Sequence, residues 1–339
     1  MKAWEIEGAF GIDKLKQNEI AKSPMGPDEV RVRICACSLN FRDLMVVKGF
    51  YNPKQNLPLI PVSDGAGVVT QVGSLVKDFR VGDRVCGTFS QHWTHGRIDE
   101  LAQKYTLGSP LAGMLQEERV FKESGLVKFP AHLSFKEAAT LPCAALTAFS
   151  ALVYEAEAKP GQSVLLEGSG GVSIFALQFA KILGLSTIVL TSKDEKVGHL
   201  KELGAGSVIN YRSNPDWSGL VRKSSDDLGV DIVIEVGGKQ TMPKAIEACR
   251  RGASICLIGI LSGPSIELAL VPILMQQLRI LGIFVGSRNA FLAMNRVIEH
   301  SGLRPVIDRV FSFAKAKEAF LYMESAQHFG KIVIDLEQA

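Results

Sequence analysis

The pattern of hydrophobic and polar positions divides the chain into two kinds of sequence. From Val164 onward, short apolar runs alternate with segments whose apolar residues recur at helical spacing. The apolar runs cover residues 164–167, 187–191, 207–210, 231–235, 254–259 and 280–285. Six strands separated by helices predict an α/β fold with a doubly wound parallel sheet.

The first 130 residues show a different pattern. Short β runs, such as residues 65–72 and 84–87, are joined by turns rich in glycine and aspartate. After the last sheet strand, two helices and two short strands are predicted between residues 289 and 335, and we expect this tail to return to the first domain. The predicted division is therefore a mostly β domain formed by residues 1–130 and 288–339, with residues 131–287 inserted as a nucleotide-binding domain.

A glycine-rich turn follows the first strand of the parallel sheet. Glycine allows the backbone to turn sharply there and lets a pyrophosphate lie against amide groups at the start of the next helix, where the helix dipole is positive. Ser173 takes the place of the third glycine of the usual fingerprint and is small enough for close packing. The predicted phosphate-binding residues are Gly168, Ser169, Gly170, Gly171 and Val172.

The end of the second strand predicts which dinucleotide binds. An NAD site normally has an acidic residue there, whereas this chain has Thr191, Ser192 and Lys193, followed by Lys196. Hydroxyl and ammonium groups would bind a ribose 2′-phosphate, so Ser192, Lys193 and Lys196 favour NADPH. The alternative is that residues 192–196 only cap and solvate the next helix.

Composition excludes several classes of protein. The 339 residues are 47% hydrophobic, enough for two domain cores, and 38 basic against 35 acidic residues give a net charge of +3 without a basic run. Nucleic acid and membrane surfaces are therefore not expected as partners, and no apolar segment is long enough to predict a membrane span. Six cysteines without a C-x-x-C pair predict free thiols and a cytoplasmic location.

Several motifs resemble the medium-chain dehydrogenase/reductase superfamily over essentially the whole chain. They are SLNFRDLMVVKGFY, IPVSDGAGVV, VGDRV, ATLPCAALTAF, GSGGVS, ELGAGSVINY and HFGKIVI. The resemblance implies a Rossmann domain inserted in a GroES-like, mostly β catalytic domain, with a cleft between the two domains. It also implies that the partner is a small-molecule substrate.

Many members of this superfamily bind zinc, so the resemblance also allows the metal positions to be compared. The positions of the catalytic Cys, His and Glu of zinc-dependent members correspond to Asn40, Ser63 and Asp64, and only Cys143 matches a ligand. A single thiolate cannot hold catalytic zinc, which needs three protein ligands.

The structural zinc site of such members has no counterpart either, because no cysteine lies between Cys86 and Cys143. His92 and His95 form an H-x-x-H pair, but two such residues in a loop more often belong to a surface turn than to a metal site. The sequence thus predicts a member without metal.

The chain resembles zinc-free members that are NADPH-dependent quinone reductases and enoyl reductases, and residues 39–43 are similar to the LNFRD signature of enoyl reductase modules. The resemblance implies that Asn40 lies beside the nicotinamide, that Tyr51 lines the substrate cleft, and that Asp43 supports the loop. Asn40 and Tyr51 can each donate a hydrogen bond to an oxyanion. Met45 stands where many quinone reductases have tyrosine. The alternative is that Asn40 only caps the helix that follows it and that Tyr51 is simply half-buried.

Further cofactor contacts are implied by the same resemblance. Thr147 and the backbone of Phe284, Val285 and Gly286 would approach the nicotinamide, Tyr211 the adenosine phosphate, and Lys331 the cofactor phosphates, although Lys331 could also be a solvated lysine at the start of a strand. Val236 and Gly259 end their strands at the carboxyl edge, where open α/β sheets bind ligands.

The sequence leaves three functions open. The first is an NADPH-dependent, zinc-independent reductase of a quinone or an α,β-unsaturated carbonyl; the second is a metal-free alcohol or aldehyde reductase; the third is a non-catalytic NADPH-binding protein such as a redox sensor. The apolar last strand, residues 279–286, has an edge that could pair with a second copy, so a homodimer is expected. Alternatively, neighbouring helices cover this edge.

Overall fold

The computed structural model describes residues 1–337, and the chain forms two compact units. The first unit contains residues 1–146 together with the segment that begins at Gly286, and the second contains residues 147–285. The tail therefore belongs to the first unit, and the second unit is an insertion in it.

This division differs from the predicted boundary at residue 131. Residues 131–146 belong to the first unit because their backbone is bonded to it. The guanidinium of Arg84 donates to the carbonyl oxygens of Ala131 and Leu133, and the amide of Cys143 donates to Asp64 Oδ2 at 3.2 Å. Sequence periodicity gave no sign of these contacts.

Within residues 1–337 the chain forms fifteen β-strands and eleven α-helices. The strands are β1 Lys2–Ile6, β2 Leu15–Glu19, β3 Glu29–Leu39, β4 Asp64–Val72, β5 Arg84–Gly87, β6 Glu118–Lys122, β7 Leu126–Lys128, β8 Ser163–Glu167, β9 Ser186–Thr191, β10 Ser207–Asn210, β11 Val230–Glu235, β12 Cys249–Leu257, β13 Arg279–Gly282, β14 Ile307–Ser312 and β15 Lys331–Asp335. The α-helices are α1 Phe41–Val47, α2 Glu100–Lys104, α3 Phe135–Ala138, α4 Leu146–Phe149, α5 Gly171–Ile182, α6 Val197–Glu202, α7 Trp217–Lys223, α8 Met242–Ala248, α9 Leu270–Met275, α10 Arg288–Ser301 and α11 Ala316–Glu324.

The first unit is built on a sheet of seven strands. Its order is β14-β15-β3-β4-β5-β7, with β6 also paired to β3. In β3, the alternating Val30, Val32 and Ile34 are buried, as expected for a strand with one face on the core. Strand β15 pairs with β3, so residues from the end of the chain complete the sheet on which the LNFRD segment is placed.

The second unit is a six-stranded sheet in the order β10-β9-β8-β11-β12-β13, and all its ladders are parallel. All six predicted apolar runs form strands, which confirms the predicted doubly wound α/β fold. The last strand is shorter than predicted, since it ends at Gly282 rather than at residue 285.

The strand order fixes where a ligand can bind in the second unit. The chain winds outward from β8 through β9 to β10, and then returns to place β11 on the other side of β8. The connections on the two sides of this point leave the carboxyl edge in opposite directions, which opens a crevice there. Glu167 and Glu235 end the two strands at this point.

No helix within residues 1–337 combines the length and the apolar character that a membrane span requires.

Candidate active site

The glycine turn after β8 has the geometry that a pyrophosphate needs. Gly168 has a φ of +76°, and no atom lies within 4 Å of the position that a Cβ would take on Gly168 or Gly170. The backbone face of the turn is therefore open, at the N-terminus of the 12-residue helix α5. Ser173 donates from Oγ to the carbonyl of Glu167 at 2.6 Å, which ties the helix to its strand. The residues fit a dinucleotide phosphate.

The segment that follows β9 places a lysine ammonium beside this turn. Lys196 is buried, and its Nζ donates to Ser169 Oγ at 3.0 Å. The two acidic residues of the same segment have other partners: Asp194 accepts from Asn210 Nδ2 at 2.7 Å, and Glu195 lies 3.2 Å from the ammonium of Lys193. Lys193 is thus paired with a carboxylate of its own loop, whereas Lys196 lies against the turn.

The structure brings four more of the candidate cofactor residues to the same edge of the sheet. The amide of Tyr211 donates to the carbonyl of Thr191, so Tyr211 lies beside the end of β9. At Gly259, a Cβ would lie 2.4 Å from the carbonyl oxygen of Val236, so only glycine fits against that residue. Ser192 is half-buried at the end of β9.

The segment after β13 has an unusual backbone. Val285 has a φ of +46°, a left-handed conformation that is strained for a β-branched residue. Phe284 and Gly286 on either side of it are half-buried, and Thr147 is buried in α4. Strain of this kind is found at functional sites, where the surroundings hold it in place. The predicted roles of these four residues toward nicotinamide stay predictions.

Glu167 and Glu235 form a buried carboxyl pair that sequence reasoning missed. Glu167 Oε2 accepts from the amides of Val236 and Gly237, and Glu235 Oε1 accepts from the amides of Gly237 and Gly238. Burial, followed by the charge of Glu235, raises the pKa of Glu167 well above its ordinary value. The remaining oxygens, Glu167 Oε1 and Glu235 Oε2, are fully buried and lack another donor, so one proton shared by the pair would satisfy both. The available signal was an acidic residue at the end of two apolar strands.

In the first unit, Asn40 stands directly before helix α1, and Asp43 supports that position. The amide of Asn40 donates to Asp43 Oδ2 at 2.8 Å, and the amide of Ser63 donates to Asp43 Oδ1 at 3.0 Å. Asp43 therefore ties the start of α1 to the segment that carries Ser63. The side chain of Asn40 is directed to other partners, Lys331 and Ser63.

The structure decides between the two interpretations of Lys331 only in part. This side chain is 2% exposed, and its Nζ donates to the carbonyl of Leu39 at 2.7 Å and to Asn40 Oδ1 at 2.5 Å. Lys331 is therefore not a solvated lysine at the start of a strand, and its contact with the cofactor phosphates stays a prediction. Burial lowers the pKa of this ammonium, while the carboxylates of Asp64 and Asp43 act in the opposite direction.

The positions that correspond to zinc ligands form one hydrogen-bonded cluster. Asn40 Nδ2 donates to Ser63 Oγ at 3.3 Å, and Ser63 Oγ donates to Asp64 Oδ1 at 3.0 Å. Burial raises the pKa of Asp64 to about 6 and keeps the Cys143 thiol protonated by raising its pKa as well. An amide, a hydroxyl and a neutral thiol beside a lysine ammonium do not fit a zinc site. Among residues 1–337, no group of three or more His, Cys, Asp or Glu side chains could hold a metal.

Ser63 is placed by a strained neighbour. Val62 is fully buried with a φ of +76°, and its carbonyl accepts from the amide of Met114 at 2.7 Å. Gly113 allows this close approach, because a Cβ there would lie 2.1 Å from the carbonyl oxygen of Pro61. The strain is thus held by the packing of residues 113–114 and fixes the position of Ser63.

Tyr51 is partly exposed and lies on Arg42. The guanidinium carbon of Arg42 is 4.6 Å from the centre of the Tyr51 ring and 4.8 Å from that of Phe89. Arg42 also donates to the carbonyls of Leu107 and Ser109, so it holds the segment 89–109 beside Tyr51. The sequence did not single out Arg42, although it lies inside the LNFRD motif.

The comparisons with known proteins agree with this architecture. A family model described as alcohol dehydrogenase GroES-like domain matches residues 26–131, and one described as zinc-binding dehydrogenase matches residues 171–300. A zinc-type alcohol dehydrogenase-like protein of Schizosaccharomyces pombe is 40% identical, with 96% of each chain covered. The chain belongs to the medium-chain dehydrogenase/reductase superfamily.

Other members of the superfamily show the range of its chemistry. A 2-methylene-furan-3-one reductase of Solanum lycopersicum is 31% identical over 98% of this chain and 79% of its own length. The crystal structure of a Sinorhizobium meliloti 1021 protein assigned as an alcohol dehydrogenase superposes with a TM-score of 0.92 and 35% identity, covering 99% of this chain and 98% of that one. The chain therefore belongs to a family of oxidoreductases that use nicotinamide cofactors, as the sequence predicted.

Proposed function

We propose that this protein is an NADPH-dependent, zinc-independent reductase that transfers hydride to a quinone or an α,β-unsaturated carbonyl. The observation that carries the proposal is the cluster around Asn40. It has an amide donor at a position where zinc-dependent members have a metal ligand, and a buried ammonium is hydrogen-bonded to that amide.

The chemistry of a conjugated acceptor suits such a cluster. Bound NADPH supplies the hydride. Negative charge then develops on a carbonyl oxygen that is already delocalised through the conjugated system, so hydrogen-bond donors can stabilise it without a Lewis acid. Asn40 Nδ2 is one donor, and the hydroxyl of the partly exposed Tyr51 is the other. The guanidinium of Arg42 packs against the face of the Tyr51 ring.

The choice of NADPH rests on the end of β9. The buried ammonium of Lys196 is held against the phosphate-binding turn through Ser169, and the carboxylates of Asp194 and Glu195 are bonded elsewhere. A 2′-phosphate would meet a cation there, and a ribose hydroxyl would lack the acidic acceptor of an NAD site. The phosphate contacts assigned to Ser192 and Lys193 are part of the same proposal, with Lys193 released from Glu195.

One of the two alternative functions has support among the relatives. The relatives named for alcohol dehydrogenase favour a metal-free enzyme that oxidises alcohols or reduces aldehydes, whereas the relative named for a furanone reductase favours the conjugated acceptor. A non-catalytic NADPH-binding protein is the third function, and it would leave the hydrogen-bond donors of Asn40 and Tyr51 without a role.

All six cysteines are free, which fits the cytoplasmic location that we propose.

One assay separates these functions. The decrease of NADPH absorbance is followed with a panel of quinones, enones, enals, saturated aldehydes and ketones. Turnover of the conjugated acceptors, with little or none of the saturated ones, supports the proposal. Preference for saturated aldehydes would replace it with the second function, and NADPH binding without turnover of any acceptor would leave the third.

A further inference from the structure

The buried lysine of the first unit has a more specific role than charge balance. A buried ammonium is costly unless it is paired and hydrogen-bonded. Lys331 has the carboxylates of Asp43 and Asp64 in its surroundings, yet its two hydrogen bonds go to the carbonyl of Leu39 and to the amide oxygen of Asn40. The closest acceptor of this cation is therefore a neutral side chain and not a carboxylate.

This contact fixes the orientation of the Asn40 amide. An ammonium carries only donors, so the oxygen of the amide must face Lys331 and the nitrogen must face away from it. On the other side, Ser63 Oγ donates to the carboxylate of Asp64 and can therefore accept from Asn40 Nδ2. The donor direction thus runs one way, from Lys331 through Asn40 and Ser63 to Asp64.

The nitrogen of the half-buried Asn40 amide has acceptors on the side away from Lys331. Nδ2 donates to Ser63 Oγ at 3.3 Å. A hydrogen bond from the Asn40 side chain also acts on Asp64 and lowers the pKa of that carboxyl. The bond from the ammonium to the amide oxygen also polarises the amide, which strengthens its N–H groups as donors.

We propose that Lys331 is a positioning residue for the reduction proposed above, which orients and polarises the amide of Asn40 so that its nitrogen, and not its oxygen, is presented to the substrate oxygen. The proposal rests on the proposed function, because it takes Asn40 as the group that meets the substrate. Lys331 itself acts only through Asn40.

The alternative is that Lys331 only balances the charges of Asp43 and Asp64. Lys331→Met removes the ammonium but keeps most of the side-chain volume. Should this single variant fail to fold, Lys331→Met combined with Asp64→Asn removes one charge of each sign and serves in its place. Lys136→Met is the matched control, since Lys136 pairs with Asp335 of the same strand β15 and has no contact with Asn40.

Kinetics test the proposal through a double-mutant cycle with Asn40→Ala. Lys331→Met should lower kcat by roughly tenfold or more, the order expected when an oxyanion donor is lost, and leave KM and the NADPH dissociation constant nearly unchanged. In the Asn40→Ala background the same change should have almost no further effect on kcat. Losses that multiply across the two backgrounds, or a loss confined to thermal stability, would overturn the positioning role. The control Lys136→Met should keep kcat.

A measurement without turnover separates this proposal from the proposed function. With ¹⁵N-labelled asparagine, the side-chain NH₂ signal of Asn40 is identified by its absence in Asn40→Ala. Its chemical shifts should move in the Lys331 variant and stay in Lys136→Met; unchanged shifts would overturn the positioning role. If the signal moves but the wild-type protein reduces none of the acceptors, the proposed function fails while the orientation of Asn40 by Lys331 is supported.

Discussion

The ammonium of Lys196 and the hydroxyl of Ser169 are joined by a hydrogen bond of 3.0 Å, which links the end of one strand to the phosphate-binding turn of its neighbour. A lysine in this place is positioned before any ligand arrives, because its side chain is buried and its hydroxyl partner lies in the turn. The Lys196 side chain therefore loses little further conformational entropy when the cofactor binds.

We predict that Lys196→Ala weakens NADPH binding selectively. A charge-assisted hydrogen bond to a phosphate contributes about 1.5–3 kcal/mol, so the NADPH dissociation constant should rise by roughly tenfold or more. The NADH dissociation constant should hardly change. Titration by nucleotide fluorescence measures both constants, and Lys201→Ala on the exposed face of α6 is the control. Equal weakening of both nucleotides would show that Lys196 only supports the turn.

A second prediction concerns metal. Prolonged treatment with a chelator should leave turnover unchanged, because the cluster of Asn40, Ser63 and Cys143 offers a neutral thiol and two weak ligands. Metal content before and after treatment is measured by mass spectrometry. If activity were lost and returned with added zinc, the proposed metal-free mechanism would be wrong, and Cys143, His92 and His95 would be the first residues to test as ligands.

The carboxyl pair predicts how stability depends on pH. In the unfolded chain a glutamate titrates near 4.5, whereas in the folded protein the pKa of Glu167 is raised well above that value by burial and by Glu235. The folded state therefore holds a proton that the unfolded state has lost, so the free energy of unfolding falls by up to about 1.4 kcal/mol per pH unit from this group as the pH rises.

Glu167→Gln should remove that dependence. The amide of glutamine can donate to Glu235 without a titrating proton, so the variant should gain stability relative to the wild type as the pH rises from about 4 to about 8. Thermal unfolding across this pH range gives the comparison. Glu202→Gln, at an exposed position of α6, is the control and should follow the wild type. Parallel curves for Glu167→Gln and the wild type would contradict the shared proton.

The last prediction concerns assembly. Strand β13 is the edge of the parallel sheet, and helix α9 before it exposes Leu270, Val271, Leu274 and Met275. An unpaired strand edge beside an exposed apolar surface favours pairing with a second copy, so we expect a homodimer.

Charge at this surface should separate the two copies. Ile280→Lys on β13 and Leu274→Lys on α9 should each shift the mass measured by light scattering toward that of a single chain. Ile182→Lys, at another exposed apolar position of the second unit, should not. A wild-type protein that has the mass of one chain at micromolar concentration would refute the dimer.

The sequence was sufficient for the fold because the apolar runs and the glycine turn are local signals. Each strand of the parallel sheet is a short apolar run, and the turn at Gly168 needs glycine for its positive φ. The change of pattern along the chain also gave the order of the domains, and the resemblance to the superfamily agreed with it, although no local pattern shows with which strand the tail will pair.

The site was less predictable, because its polar contacts join residues far apart in sequence. No local pattern indicated that Lys331 would donate to Asn40, 291 positions away. The Glu167 and Glu235 carboxyls meet only because β8 and β11 are neighbours in the sheet. Val62 was not recognised as strained, since its φ depends on the packing of residues 113–114.

The pairing of β15 with β3 has a consequence for the order in which the chain folds during synthesis. The ammonium of Lys331 and the carbonyl of Leu39 are 292 positions apart, and β15 lies inside the sheet, between β14 and β3. While the ribosome is still translating the tail, β3 lacks its neighbour and Asn40 lacks the lysine that orients it. All six strands of the inserted unit have been translated by then, so a nascent chain can form the nucleotide-binding sheet before the GroES-like sheet is complete.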